Sequence, residues 1–186
     1  LNQIFAENRA MQRKVIVYIA CSVDGYIAGP DDDLSFLSVV EQEGEDYGYA
    51  AFIQNIDTMI VGRKTYEKVQ SMGLEYPPAG KMLYVITRSP KPDSGHVKFY
   101  SGGLAALVQK LKSEPGMHIY CDGGVEIVNQ LLKLNLVDEL IISVIPTLLG
   151  SGTQLFGSGL PVQKLTLVSS KQFDKGLVQL HYRREK

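Results

Sequence analysis

The sequence predicts a single α/β domain built around a mainly parallel sheet, and three observations lead to this fold class. Apolar runs of strand length alternate with helical patterns along most of the chain, which is typical of βαβ units with right-handed crossovers. The first run, residues 15–21, is apolar throughout, as in a strand covered on both faces. The last stretch alternates apolar and polar residues around a turn, which predicts an antiparallel hairpin.

The spacing of apolar residues distinguishes the strands from the helices. After the first strand, Asp24-Gly25 predicts an immediate turn that returns Ile27 across the carboxyl end of that strand. Further strand-like runs cover residues 58–61, 82–86, 118–121 and 140–145. Helical spacing is found in three sets: Tyr49, Phe52, Ile53 and Ile56; Leu104, Leu107, Val108 and Leu111; and Ile127, Leu131 and Leu134.

The last stretch has the pattern of a hairpin. Leu165 and Leu167 alternate with their neighbours, residues 174–176 read Asp-Lys-Gly, and residues 177–182 form a second strand-like run. We therefore expect a central, mostly parallel sheet that is flanked by helices and extended by a C-terminal antiparallel hairpin.

Length and composition limit the classes of function. The chain has 186 residues, near the size of one domain, and its 45% hydrophobic and 21% charged residues favour a packed core over disorder. A net charge of −1 argues against a nucleic-acid surface, and no apolar run reaches membrane-spanning length. The three histidines and two cysteines lack the spacing of a metal site.

Residues 1–12 are expected to form a loosely ordered N-terminal extension, and residues 13–186 to form the domain. The first ten residues are mixed and polar, without the apolar region of a signal peptide. We therefore expect a cytoplasmic protein.

Three predicted strands end in residues that suit phosphate groups. The first of these ends carries Gly62, Arg63, Lys64 and Thr65. Glycine lets the backbone approach a ligand, and the free N–H groups at a helix start favour an anion. The alternative is an ordinary helix start with two solvated cations.

The second end carries Thr87, Arg88 and Ser89. Two hydroxyls around a rigid fork of guanidinium donors suit a phosphomonoester. The alternative is a surface turn before Pro90.

The third end carries Gly123 and Gly124, followed by Val125 and Glu126. Paired glycines after an apolar strand permit a tight turn against a pyrophosphate, and the alternative is simple strand-to-helix packing. The sequence contains neither a G-x-G-x-x-G string nor a Walker A string.

These motifs together resemble one family. Residues 20–28 fit the A-x-S-x-D-G-x-I-A segment of the dihydrofolate reductase-like superfamily, in the branch that contains the reductase domain of bacterial riboflavin synthesis. Residues 146–156 resemble its P-x-x-x-G-x-G-x-x-L-F segment, and Gly62, Arg63 and Thr65 match its Gly-Arg-x-Thr. The order and spacing of five motifs extend the resemblance over residues 14–184.

The resemblance implies a cofactor and its position. NADPH would lie in an extended pose across the carboxyl ends of the strands, with Ala20 and Ile27 beside the nicotinamide ring. Residues 62–65 and 123–126 would hold the pyrophosphate, and residues 87–89 would hold the adenosine 2′-phosphate.

The resemblance also implies a reaction and a partner. The chain would transfer a hydride from NADPH to a small heterocycle or a ribosylamino-pyrimidine, as 5-amino-6-(5-phosphoribosylamino)uracil reductases do. Relatives often pair as homodimers, and a hairpin over residues 165–182 adds apolar surface near a sheet edge that needs cover. The alternatives are a dihydrofolate reductase, a non-catalytic nucleotide-binding protein and a structural domain without a ligand.

Asp33 is the candidate catalytic residue. Dihydrofolate reductases carry a buried carboxylate in a D-L-x-x-F string, where it hydrogen-bonds the pterin, and Asp33-Leu34-Ser35-Phe36-Leu37 resembles that string. The preceding loop is shorter here, and the chain contains no tryptophan, and both departures argue against folate as the substrate. An acidic turn in water is the alternative, and Asp31 and Asp32 are two further candidates.

Overall fold

A computed structural model describes residues 12–185 of the chain. Apart from its last residue, the predicted N-terminal extension lies outside the described residues. No helix within residues 12–185 is long and apolar enough to cross a membrane.

The fold is an eight-stranded, mostly parallel sheet with a two-stranded sheet beside it. The strands are β1 (Val15–Ser22), β2 (Tyr26–Ala28), β3 (Ile56–Gly62), β4 (Met82–Ile86), β5 (Val97–Tyr100), β6 (His118–Gly123), β7 (Glu139–Ile145), β8 (Thr153–Gln154), β9 (Leu165–Gln172) and β10 (Val178–Arg184). The main sheet has the order β5-β4-β3-β6-β1-β7-β10-β9, and β2 pairs with β8. This architecture confirms the predicted fold class.

Four α-helices connect or flank the strands. They are α1 (Tyr49–Ile53), α2 (Arg63–Ser71), α3 (Leu104–Ser113) and α4 (Val125–Lys133). Three short 3-10 segments lie at Pro30–Asp32, Ser35–Val40 and Asp174–Gly176. The last of these is the predicted turn between β9 and β10, which pair antiparallel as expected.

Burial explains the patterns along the chain. Strand β1 lies between β6 and β7, and Val15 and Val17 are fully buried, which accounts for its apolar run. The apolar faces of α3 and α4 cover one side of the sheet. The other side carries an aromatic cluster in which the Phe52 ring contacts Tyr18 in a tilted arrangement and Tyr120 edge-to-face.

Two pairing elements were missed by the sequence reasoning. Strand β5 has only four residues, which include Lys98, and it lies at the edge of the sheet with all four half-buried. The pairing of β2 with β8 involves three and two residues, which is too short for a periodicity to identify.

A buried carboxylate joins the N-terminal end of β7 to its neighbours. Only 6% of the Glu139 side chain is exposed, and it contacts Lys14 at 2.8 Å, His181 at 3.0 Å and Arg183 at 3.1 Å. Burial by itself raises the pKa of Glu139, but the three hydrogen bonds outweigh burial and lower that pKa to about 2.

Acid is therefore expected to destabilise the fold through Glu139. A carboxyl group whose pKa is lowered by folding stabilises above its unfolded value of 4.5, and this contribution is lost as the pH falls toward about 2. Since Lys14 and Arg183 are partly exposed and screened, we expect a loss of about 2 kcal/mol. Urea unfolding of the unaltered protein and of Glu139→Gln, each at pH 6 and pH 3, measures this loss in the free energy of unfolding. Equal pH dependence in both proteins would contradict the assignment.

Candidate functional site

The two predicted pyrophosphate turns lie in contact at the carboxyl edge of the sheet. Helix α2 begins directly after Gly62, at the end of β3, and α4 begins directly after Gly124, at the end of β6. A Cβ atom on Gly62 would lie 3.4 Å from the Gly124 nitrogen, and one on Gly124 would lie 2.9 Å from the Thr65 hydroxyl oxygen. The tertiary structure therefore brings together two helix N-termini, whose first N–H groups favour an anion. In α4 the Ile127 amide is already bonded to the Gly124 carbonyl oxygen at 2.9 Å.

Gly123 differs from the two packed glycines. Its φ of +102° is a conformation that side chains rarely adopt, so the backbone itself requires glycine here. A Cβ atom at this position would meet nothing within 4 Å, so the outer side of the turn is open. Gly62 and Gly124 are thus closely packed, whereas Gly123 leaves open space on the outer side of the turn.

The third motif predicted to bind a phosphate, residues 87–89, lies next to these turns. Thr87 is buried after β4, and its hydroxyl accepts a hydrogen bond from the Ser89 amide at 3.1 Å. Arg88 is exposed and lines an open groove of about 580 Å³ together with Val125 and Glu126. The groove runs from Arg88 along α4, where it is lined from Val125 to Lys133, and on to residues 153–158.

The two cations of the first motif lie at the surface. Arg63 forms an ion pair with Glu67 at 2.6 Å, one helical turn away, and both side chains are 43% exposed. Lys64 is exposed as well. These contacts are those of an ordinary helix start. The structural support for a phosphate site in this motif therefore comes from Gly62 and Thr65.

The loop after β1 is clamped by the glycine-rich segment 146–156. The Asp24 carboxylate accepts hydrogen bonds from the Ser22 hydroxyl at 2.5 Å, the Gly150 amide at 2.7 Å and the Leu149 amide at 3.1 Å. The Ser22 bond, followed by the Gly150 bond, lowers the pKa of Asp24 to about 2, so this anchor is ionised at neutral pH. The clamp holds Ile27 beside the carboxyl end of β1.

A cavity of about 260 Å³ lies on the sheet face beside Ala20. Ala20 pairs with Ser143 across β1 and β7, and both line the cavity, whose walls also include Tyr18, Ile145 and Leu177. The Ser143 hydroxyl accepts a hydrogen bond from the Gln179 amide at 3.1 Å. Its own proton can therefore be donated into the cavity.

Asp33 does not lie in this cavity. The residue is exposed, and its carboxylate accepts hydrogen bonds from the Ser35 hydroxyl at 2.7 Å and the Ser35 amide at 3.1 Å. The expectation of a buried carboxylate at Asp33 is therefore not met, because the short loop places it on a surface turn before the 3-10 segment Ser35–Val40.

The sequence reasoning did not assign a role to Asp122, which lies directly before Gly123. Its carboxylate accepts hydrogen bonds from the Tyr76 and Tyr120 hydroxyls, both at 2.5 Å. Burial raises the pKa of Asp122, and the two hydroxyls partly offset that effect. The sequence does contain a signal, which is an aspartate at the end of a largely apolar strand. Burying a carboxylate there is unfavourable unless it is hydrogen-bonded, and such residues are often functional.

Asp122 shares a sheet face with the cavity. Strand β1 pairs with β6 through Ile16 with Tyr120 and Val17 with Cys121. The Tyr120 hydroxyl hydrogen-bonds both the Tyr18 carbonyl oxygen at 3.2 Å and the Asp122 carboxylate, so Asp122 lies on the side of the sheet that carries the aromatic cluster. Asp122 therefore lies one strand away from a residue that lines the cavity.

Comparison with known proteins assigns the family. The model of the RibD C-terminal domain matches residues 13–179. The chain belongs to the RibD C-terminal domain family. The protein YwjB of Bacillus subtilis (strain 168) is 45% identical over 173 residues, which cover 92% of this chain and 98% of YwjB. The resemblance expected from the motifs is thereby confirmed.

Solved structures agree with membership in the RibD C-terminal domain family. A putative riboflavin biosynthesis protein from Shewanella sp. PV-4 has a TM-score of 0.83 at 32% identity, with 93% of this chain and 99% of that chain covered. The Enterococcus faecalis dihydrofolate reductase complexed with NADP(H) has a TM-score of 0.68 at 15% identity, with 94% and 98% covered. The second likeness concerns the fold alone.

Proposed function

We propose that this chain is an NADPH-dependent reductase that transfers a hydride to a small heterocycle. The observation that carries the proposal is the contact between the helix N-termini at Gly62 and Gly124, beside the groove lined by Arg88. Two N-termini and a guanidinium along one edge suit a ligand with a pyrophosphate and a further phosphate. Membership in the RibD C-terminal domain family supports the same reaction class.

The residues present fit such a cofactor. Thr65 and the first-turn amides of α2 and α4 would hold the pyrophosphate, with the open side of Gly123 facing it. Arg88 would hold the adenosine 2′-phosphate from the far side of the groove. When bound, the nicotinamide supplies the hydride.

Other residues would orient the acceptor and exclude water. Ala20 and Ile27 would form the surface beneath the reacting rings, and the Asp24 clamp would keep the β1–β2 loop closed over them. The Ser143 hydroxyl would donate a hydrogen bond to the acceptor in the cavity. We propose that Asp122, rather than Asp33, is the carboxylate that faces the reaction centre, because it lies on the sheet face that carries the cavity.

Calorimetry with NADPH and NADH, followed by assays of NADPH oxidation, tests this function. We expect tight binding of NADPH and oxidation in the presence of a pyrimidine or pteridine acceptor. Tight binding with no oxidation by any acceptor would favour a non-catalytic nucleotide-binding protein. No binding of either nucleotide would overturn the proposal.

A dihydrofolate reductase is the second candidate, because the fold is shared with the enzyme from Enterococcus faecalis. The string that carries the pterin-binding carboxylate of such enzymes matches Asp33 here, but Asp33 is exposed and its carboxylate is bonded to Ser35. We therefore propose weak or absent turnover of dihydrofolate while NADPH still binds.

We also propose that the chain forms a homodimer through β9. This strand is the last in the sheet, and all eight of its residues are exposed. Leu165, Leu167 and Val168 are 40%, 52% and 42% exposed, which is an apolar edge that needs cover.

Light scattering at micromolar concentration is expected to give about twice the chain mass of 20.5 kDa. Leu167→Lys should weaken the dimer by about tenfold or more, since it places a desolvated charge in an apolar contact. The matched control is Met72→Lys, which adds the same charge at a 49% exposed residue after α2 and should leave the mass unchanged. A mass near 20.5 kDa for the unaltered protein would contradict the proposal.

A further inference from the structure

The segment that covers the cavity is strongly acidic. Residues 30–48 carry seven carboxylates, at positions 31, 32, 33, 41, 43, 45 and 46, and no lysine, arginine or histidine. All seven are exposed. The segment runs from the end of β2 to the start of α1 and includes the 3-10 segment that packs against Ile145 and Leu177.

Two of these carboxylates line the cavity itself. Glu41 and Asp46 are among its lining residues, whereas no lining residue within the described part of the chain is a cation. Asp46 accepts hydrogen bonds from the Ala50 and Gly48 amides, both at 2.8 Å, and these bonds lower its pKa. Asp46 is therefore fixed in place and ionised at neutral pH.

The nearest cations belong to the hairpin and do not line the cavity. Lys171 lies over the Phe173 ring at 4.1 Å from its centroid, and Lys175 donates a hydrogen bond to the Glu41 carbonyl oxygen. Two lysines against seven carboxylates leave the segment and its surroundings negative. Asp122 adds a further carboxylate on the same sheet face.

The cationic and acidic groups are thus separated along the site. Arg63, Lys64 and Arg88 follow β3 and β4, on the side assigned to the cofactor phosphates. The cavity beside β1 and β7 has apolar and aromatic walls, the hydroxyls of Tyr18, Tyr47 and Ser143, and an acidic rim. A phosphate group in proteins is held by arginine, lysine or helix N-termini, and the cavity lining includes none of these.

We propose that the acceptor of this reductase is a small, flat heterocycle without a phosphate group, and that the acidic segment 30–48 excludes phosphorylated acceptors. The inference rests on the proposed function and names the substrate class of its cavity. A volume of about 260 Å³ holds a reacting ring and leaves any substituent at the rim, near Glu41 and Asp46. An uncharged or cationic substituent is accepted there, whereas a phosphate is repelled by like charge.

The experiment compares two probes that differ in one phosphate group. They are 5-amino-6-(ribosylamino)uracil and its 5′-phosphate, each titrated by calorimetry into the protein saturated with NADP⁺. We expect the unphosphorylated probe to bind at least about tenfold more tightly. Raising the salt concentration should narrow the difference, because exposed carboxylates are screened.

A charge-reversal variant tests the cause. Glu41→Lys should raise the affinity for the 5′-phosphate, relative to that for the unphosphorylated probe, by about tenfold. The matched control is Glu114→Lys, which makes the same charge change at an exposed residue after α3, on the opposite edge of the sheet. The control should alter neither affinity.

The outcomes separate this inference from the proposed function. Failure of NADP⁺ to bind overturns the reductase itself. Normal NADP⁺ binding with equal or tighter binding of the 5′-phosphate overturns only the exclusion of phosphate. Normal NADP⁺ binding with no binding of either probe at millimolar concentration shows that the cavity does not take a pyrimidine ring, which also overturns the inference.

Discussion

Replacing Arg88 with alanine is expected to weaken NADPH binding by about ten- to a hundredfold and to leave NADH binding nearly unchanged. Arg88 is exposed in the groove that leads to the start of α4, where its guanidinium can bond a phosphate that only NADPH carries. A lost charge-assisted bond is worth about 1.5–3 kcal/mol, which corresponds to that range. Calorimetric titration of both cofactors measures the effect.

A control separates this contact from the general charge of the protein. Lys110→Ala removes an exposed cation from α3 and should change neither affinity. If Arg88→Ala weakens NADPH and NADH equally, Arg88 does not hold the 2′-phosphate. In that case the surface-turn interpretation of residues 87–89 is the better one.

Replacing Asp122 with asparagine is expected to lower the rate of hydride transfer by about ten- to a hundredfold while NADPH still binds. The variant keeps the shape of the side chain but has one acceptor oxygen instead of two, so only one of the Tyr76 and Tyr120 hydroxyls keeps an oxygen acceptor and the carboxylate is lost. An acceptor that relies on this carboxylate would then leave a donor unpaired in a dry site, at a cost of about 1–3 kcal/mol.

The matched variant is Asp33→Asn, which makes the same chemical change on the exposed turn. Because the Asp33 carboxylate is exposed and, within the described structure, accepts hydrogen bonds only from Ser35, we expect activity near that of the unaltered protein. Oxidation of NADPH under single-turnover conditions compares the two variants, and thermal unfolding checks that both fold. Collapse of activity in Asp33→Asn with little effect in Asp122→Asn would show that Asp33, as the sequence predicts, is the catalytic carboxylate.

Much of the site could be predicted from the sequence because its elements are local. Gly62 through Thr65 and Gly123 through Glu126 each combine a strand end, a turn and a helix start within a few residues. Such patterns specify backbone conformation and burial over short distances. The same holds for β1, whose uninterrupted apolar run reflects its place between two neighbouring strands.

The positions of the Asp33 and Asp122 carboxylates in the folded protein could not be predicted from such local patterns. Asp33 matched a family string, but the short loop before it leaves the side chain at the surface. The sequence does not show that Asp122 is buried and hydrogen-bonded, because its partner Tyr76 lies 46 residues earlier, in a loop with no periodicity of its own. Hydrogen bonds between residues distant in sequence depend on how the strands are ordered, and no local pattern records that order.

The sequence by itself determined the fold class, the hairpin and the residues that open α2 and α4, because burial and turn chemistry are encoded residue by residue. Only the tertiary structure decided which of these residues meet. The order β4-β3-β6-β1 brings Gly62 against Gly124 and places Arg88 in the same groove as α4. The packing of segment 30–48 onto β7 and the hairpin turn decides that two of its seven carboxylates line the cavity.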